Sequence, residues 1–326
     1  MAALHIDHSS QPTIWIETDM EPDDMWAILL IGHRSSYIVV GEGDANIKYN
    51  RMMRYVDLLH SIKQFDTKPM IIEGMSSRKK YLADGFEFNN LSTYLCPEWH
   101  FDNFEEFANK PNPIMFSLKP MREILNWYLQ DTEKIAQLLS KITLYVYGSF
   151  NFRCLFEHKN TLLDIIKLFK SVYIYESFYA TPSCNSFDES NKLLYNWTMA
   201  HKDNPFISAL LLLTKQWNSN IIIEKRAELQ LALSTDKIVR IENIINNVMG
   251  HEDFQFVIAD FALIVMYLAN IPAVPVTNLR FDKFTEFDLC NGLSTSHPST
   301  SIYVYKDILP SQIEQLMVEY LQLVID

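Results

Sequence analysis

The amino-acid sequence predicts a single α/β domain built on a mainly parallel, Rossmann-like open sheet flanked by helices. Three observations carry this reading. Strand-like and helix-like stretches alternate from the N-terminus in a β-α-β-α-β order, which only a parallel sheet with crossover helices satisfies easily. The chain has 326 residues, 48% of them hydrophobic, enough for one large core. Neither an internal repeat nor a low-complexity linker divides it, so residues 1–326 read as one domain.

The elements follow in order. Residues 13–18 (TIWIET) read as a strand and 23–33 as a helix; 37–41 is a β-branched run and a second strand. Over 46–63, Met52, Met53, Val56, Leu59 and Ile62 recur at roughly a helical period, and 68–73 gives a third strand. Residues 76–113 are aromatic, polar and irregular, and read as loops and short helices, an insertion or lid near the active-site edge of the sheet. Regularity returns with a helix at 118–129, a strand at 142–147, a helix at 160–169 and a strand at 171–176. Helices are expected at 189–201 and 205–217, and a short extended piece at 221–224. A strongly apolar helix is expected at 254–269, strands at 273–281 and 301–305, and a closing helix at 311–325.

Composition removes several function classes. The chain carries 40 Asp+Glu against 28 Lys+Arg, a net charge of −12, which argues against nucleic acid or an anionic membrane as the main partner. There are only 8 glycines, against an average usage of about 7%. Neither G-x-G-x-x-G nor a P-loop occurs, so a phosphate-cradling glycine loop is not expected. Cys96, Cys154, Cys184 and Cys290 form no C-x-x-C pair and read as free thiols of a reducing compartment. The N-terminus lacks the basic-then-apolar pattern of a signal peptide, and the longest apolar stretch, 256–271, is broken by Asp260. A cytoplasmic protein with no membrane partner is expected.

The chemistry concentrates at two places. Glu17-Thr18-Asp19-Met20-Glu21-Pro22-Asp23-Asp24 places five carboxylates in eight residues where the first strand meets the first helix. In parallel α/β sheets that carboxyl edge binds ligands. Pro and acids also suit a helix N-terminus, and this simpler reading accounts for Asp23 or Asp24 as a cap. It leaves Glu17 and Asp19 unexplained. Packed carboxylates repel, so protons or a cation must be taken up, and oxygen ligands without His or Cys favour Ca²⁺ or Mg²⁺. The second place is Asp260, alone within an apolar helix. A buried carboxylate there must be neutral, paired or metal-bound.

These residues resemble the nucleoside hydrolase family, the inosine-uridine-preferring N-ribohydrolases, whose first strand runs into D-x-D-P-G-x-D-D. Asp19, Asp23 and Asp24 keep the D-x-x-x-D-D spacing; Glu17 stands at the first Asp, and Met20-Glu21-Pro22 at P-G-x. Further blocks occur in the family's order over roughly 13–270. Residues 142–151 (ITLYVYGSFN) are similar to the strand ending in G-P-L-T-N, with Asn151 at the Thr. Glu189-Ser190-Asn191 is similar to E-F-N, and 256–262 to the helix carrying H-D-P-x-A, with Asp260 at the Asp. Residues 37–46 are a looser match to the second strand and its V-A-G-N turn, with Asp44 nearest the Asn.

The resemblance implies the nucleoside hydrolase fold and hydrolysis of an N-glycosidic bond of a ribonucleoside or related ribosyl compound. It implies Ca²⁺ held by Asp19, Asp24 and Asp260 and by the Asn151 main-chain carbonyl, with Asp19 as general base. Asp23 and Asn191 would hold ribose hydroxyls, Glu189 the 5′-hydroxyl, and Asn185 a sugar-side contact, with Asp44 a further substrate-binding residue. It also implies a homo-oligomer, a dimer or tetramer. The family's His before the helix Asp is Ala259 here, so leaving-group protonation would fall to His100, His201, His251 or His297, or give way to stacking on Trp99, Tyr81 or Phe88. Ala259 also supports the alternative of a catalytically impaired protein that keeps the ribosyl pocket. A third reading has the acids merely capping helices, with no metal.

Overall fold

The structure is a computed structural model, which describes residues 11–61, 68–76, 98–151, 159–175, 192–215, 226, 239, 259–279, 287–288 and 301–325. The four cysteines, Asn185, Glu189, Asn191, Tyr81, Phe88, His251, His297, the side chain of Trp99 and the extended piece at 221–224 lie outside the described residues.

The strands are β1 (Thr13–Thr18), β2 (Tyr37–Val40), β3 (Met70–Glu73), β4 (Pro113–Ser117), β5 (Thr143–Tyr147), β6 (Ser171–Tyr175), β7 (Val274–Pro275), β8 (Asn278–Leu279), β9 (Phe287–Asp288) and β10 (Ser301–Val304). Eight of them form one sheet in the order β3-β2-β1-β4-β5-β6-β10-β7, parallel throughout except for the short edge pair β10–β7. β8 and β9 make a separate two-stranded ribbon. The expected α/β architecture is therefore present. The order turns back at β1: the chain runs outward through β2 and β3, then crosses to β4 on the other side. The crevice beyond the carboxyl ends of β1 and β4 is the topological switch point where such sheets bind ligands.

Alternation along the strands builds two cores. Ile14 and Ile16 of β1 point to one face with Phe116, Tyr145 and Tyr175; Trp15 points to the other with Met115, Leu144 and Val172. The first face is covered by α1 (Pro22–Ile31), α10 (Ala259–Leu268) and α11 (Pro310–Ile325), with α8 (Lys192–Ala200) and a helix at 205–215, α9, outside them. All ten residues of α1 are buried, as its nearly unbroken apolar sequence requires. Trp26 of α1 packs on Phe261 of α10 at 5.9 Å. The second face is covered by α3 (Glu98–Ala108), α4 (Arg122–Gln130), α5 (Thr132–Leu139) and α7 (Lys159–Leu168), with Phe104 and Phe107 of α3 against Trp15. Two further described helices are α2 (Ala45–Ser61) and the single turn α6 (Gly148–Asn151). Among the described residues no helix is long and apolar enough to cross a membrane.

Three differences from the sequence expectation have physical causes. The irregular segment 76–113 includes α3, a short helix as expected, but it leads into an unexpected strand, β4, fully buried between β1 and β5. The short run Pro113-Ile114-Met115-Phe116, followed by Ser117, carries no alternation, and Pro is tolerated at a strand's first residue. The helix at 118–129 begins at Arg122, and α5 follows it directly, its N-terminus capped by the Asp131 carboxylate accepting from the Lys134 amide at 3.0 Å. The strand at 273–281 breaks into two-residue bridges, because Pro272 and Pro275 donate no ladder hydrogen bond.

Candidate active site

The acidic loop after β1 wraps around Asp24. Its Oδ2 accepts from the Thr18 hydroxyl at 2.6 Å and from the Asp19 amide at 3.0 Å, while the Met20 amide donates back to Thr18 Oγ1 at 2.9 Å. This turn places Met20 at φ 59°, a left-handed conformation that an L-residue adopts at a cost of about 1–2 kcal/mol. Proline cannot take it, so the loop is built differently from a Pro-Gly turn. Pro22 then opens α1, with Asp23 and Asp24 in its first turn.

Three carboxylates converge from the two helices that pack most closely on this face. Oxygen atoms of Asp23, Asp24 and Asp260 all lie within 4.8 Å of one another, and all three residues are buried. Asp260 stands in the first turn of α10, and its amide donates to Asp23 Oδ2 at 3.3 Å. Asp19, also buried, is not part of that trio but lies near enough to repel each of its members. Asn151, on α6 just past β5, donates from Nδ2 to the Ser117 carbonyl at 2.8 Å and to Asp260 Oδ1 at 3.3 Å. Its main-chain carbonyl accepts from the Met121 amide at 3.2 Å, which leaves one lone pair. The structure thus brings Asp19, Asp23, Asp24, Asn151 and Asp260 together at the switch point. Asp44 Oδ1 accepts from the Ile47 amide at 3.1 Å and caps α2.

Electrostatics mark this group as uncompensated. Burial, and then repulsion from Asp19, push the Asp23 carboxyl up to about 7, against hydrogen bonds from nearby amides. Burial and the charges of Asp19, Asp260 and Asp23 hold Asp24 well above the usual carboxylate range, and Asp260 is raised in the same way. Asp24 Oδ1 is buried with no hydrogen-bond partner among the described residues. A buried acceptor without a donor costs about 1–3 kcal/mol. The fit to a hard divalent cation is good: several carboxylate oxygens, an orphaned acceptor, and the negative charges of Asp19, Asp260 and Asp23 acting on Asp24.

A pH dependence follows. A carboxyl raised in the folded state keeps a proton that the unfolded chain has already lost, so its stabilisation is full below about 4 and disappears as pH rises through about 7. In chelator, urea unfolding should show stability falling by about 3 kcal/mol from pH 5 to pH 8, at about 1.4 kcal/mol per unit. Saturating divalent cation should flatten this slope. A flat or rising profile in chelator would contradict the described repulsion.

Glu17 does not belong to this group, contrary to its pooling with the acidic stretch in the sequence. The strand period turns it to the opposite face of the sheet, where Lys119 lies 3.9 Å away. Lys119 is fully buried and pairs with Glu123, whose Oε1 also accepts from the Met75 amide at 2.8 Å. Arg122 pairs with Glu42, itself at φ 60° in the turn after β2. Burial alone would lower the Lys119 ammonium, but Glu123, Glu17 and Glu42 outweigh it and hold it above the ordinary lysine range. Glu123 is lowered, since Lys119 more than offsets its burial, whereas burial pushes Glu17 up to about 7. This ionic network ties the carboxyl ends of β1, β2 and β3 to α4. Sequence reasoning missed it, because its members are separated by up to about a hundred residues; the only local signal is the i,i+4 pair Lys119–Glu123.

His100 is buried, and burial pushes its imidazole down to about 4, so it is neutral near pH 7 and unsuited to donating a proton there. His201 stacks on Trp197 at 4.2 Å and its Nδ1 meets the Trp197 carbonyl at 2.7 Å.

No known family profile matches the chain, and no curated protein does. Among solved structures, an inosine-uridine-preferring nucleoside hydrolase from Bacillus anthracis is similar, with a TM-score of 0.54 at 9% identity, over 95% of this chain and 98% of that one. At this identity the likeness shows the fold: the chain has a nucleoside hydrolase-like fold.

Proposed function

We propose that this protein hydrolyses the N-glycosidic bond of a ribonucleoside or a related ribosyl compound, giving free base and ribose, in a Ca²⁺-dependent reaction. The observation that carries this reading is the buried trio of Asp23, Asp24 and Asp260, with its orphaned oxygen, at the switch point of a nucleoside hydrolase-like sheet. Asp24 and Asp260 would hold the cation, with Asp19 and the Asn151 carbonyl completing the protein's share. When bound, the cation would neutralise the cluster, orient a cis-diol and lower the pKa of a bound water.

The chain's own groups do the rest. Asp19 is the general base that takes the proton from the attacking water. Asp23, whose Oδ2 is steered by the Asp260 amide, accepts from a ribose hydroxyl and fixes the ring. The concentration of negative charge favours the oxocarbenium-like state through which glycosidic cleavage passes. Asn185, Glu189 and Asn191 would supply the remaining sugar contacts. Free thiols and the acidic charge suit a cytoplasmic setting, and a homo-oligomer is part of the same proposal.

The test is ribose release from a broad ribonucleoside panel, with Ca²⁺ and with chelator. Release that disappears in chelator and falls by a factor of about a thousand in Asp19→Asn is expected, since a lost base and metal ligand act together. No ribose from any substrate would overturn hydrolysis. One observation favours a second reading: Ala259, buried beside Asp260, offers no acid to the leaving group. Calcium-dependent nucleoside binding by calorimetry without turnover would establish that reading instead.

A further inference from the structure

A cavity of about 260 Å³ lies over the β5–β6–β10 flank of the sheet, lined by Tyr145, Tyr173, Tyr267, Tyr303 and Tyr305 together with Asn270 and apolar residues at the end of α10. It is separate from the acidic site. Asp260 stands in the first turn of α10, and Tyr267, one of the cavity's walls, seven residues on, which is about 10 Å along the helix axis.

Its floor is an aromatic row. Phe116, Tyr145, Tyr173 and Tyr303 occupy matching positions on four neighbouring parallel strands. Their rings stack in turn at 5.1, 4.6 and 4.8 Å, with interplanar angles of 28°, 8° and 13°. Ring faces are therefore spent on one another, and the cavity receives hydroxyl tips. Tyr267 closes over the row edge-on, 5.0 Å from Tyr145, and Tyr305 joins from beyond β10, 6.4 Å from Tyr173.

Among the described residues, no hydrogen bond satisfies the hydroxyls of these five tyrosines. Tyr305 is 2% exposed and Tyr145 9%. Burial and the neighbouring phenols raise both above the ordinary tyrosine range, so they are neutral groups that donate and accept. None of the five hydroxyl oxygens is a buried polar atom lacking a partner, so they open into the cavity, free to exchange water for a ligand's hydroxyls.

We propose that this cavity is a second small-molecule site, built for a neutral polyhydroxylated compound of monosaccharide size. Phenol hydroxyls match ligand hydroxyls, each able to donate or accept. Among the described residues no charged side chain lines the cavity, which argues against an anion or a cation. The occupied ring faces leave no platform for a planar base. Met266, Ile271, Pro272 and Ala273 give an apolar wall for the C–H face of a sugar ring. The site stands independently of the ribosyl reading.

The test uses the full chain in excess chelator, with D-glucose and myo-inositol as probes in ligand-observed NMR titrations. Saturable binding of at least one probe is expected. In the double variant Tyr173→Phe, Tyr305→Phe, which keeps ring shape and stacking, binding should weaken roughly tenfold or more, as two lost hydrogen bonds imply. The Tm of that variant without ligand should be unchanged or higher, because the hydroxyls make no internal bond. Absence of saturable binding for both probes, unchanged affinity in the double variant, or a Tm lowered by several degrees would overturn the proposal. So would loss of binding in Asp24→Asn, which would put the probe in the acidic site. None of these outcomes alters the ribose-release result.

Discussion

Asp24→Asn is expected to reduce ribose release by about a thousandfold, the equivalent of about 4 kcal/mol of transition-state stabilisation, and to remove the thermal response to Ca²⁺. The same substitution should make the metal-free protein more stable at pH 8, by about 1–2 kcal/mol, because a neutral amide does not repel Asp19, Asp23 and Asp260. The shape of the loop should survive, since an amide oxygen still accepts from Thr18 or Asp19. A cation present at a hundred times its dissociation constant stabilises the wild type by about 2.7 kcal/mol, and the variant should lose this. Opposite signs for stability and activity separate a metal ligand from a helix cap, whose removal costs about 1 kcal/mol whatever the ion. Calorimetric scans of both proteins, with Ca²⁺ and with chelator, check it. A variant that is less stable in chelator and keeps its calcium response would sink the assignment.

Lys119→Met is expected to destabilise the fold by about 3–5 kcal/mol, the range for removing one partner of a buried ion pair. Lys119 is the cation that faces Glu17 and Glu123 in a site closed to water, and removing it leaves two carboxylates there. Protons would then replace the lysine, so the loss should be smaller at pH 5 than at pH 8. Adding Glu123→Gln should recover part of it, and the four proteins of this cycle give the coupling directly from urea unfolding. Additive effects of the two substitutions would show that the pair does not interact.

The fold was legible in the sequence where periodicity is strong. β1, β2, β5 and β6, α1 and the apolar helix at Asp260 all fall where alternation or unbroken apolar runs place them. β4 was not, because a short buried strand that opens on Pro113 carries neither period nor branching beyond Ile114. The acidic site was legible in its membership, since Asp19, Asp23 and Asp24 are near neighbours in the chain and Asp260 is conspicuous in its apolar surroundings. Its split from Glu17 follows from the strand period alone and could have been drawn from it. The positive partner of Glu17 could not, because Lys119 lies across the sheet. The tyrosine row was invisible for a related reason: Tyr145, Tyr173 and Tyr303 become neighbours only through strand register.

Gly41 and Gly74 sit directly against the Lys119–Glu123 pair. A methyl group at Gly74 would come within 2.5 Å of Glu123 Oε1 and 3.0 Å of the Val40 carbonyl; at Gly41 it would come within 3.0 Å of Lys119 Nζ. The pair is held in place partly by two hydrogen atoms. In heritable terms position 74 cannot vary alone: a larger residue there requires Glu123 to have been replaced first, and that first step leaves an empty space beside Lys119, which then faces Glu17 at 3.9 Å. Two of the chain's eight glycines are thereby bound to a salt bridge through space alone.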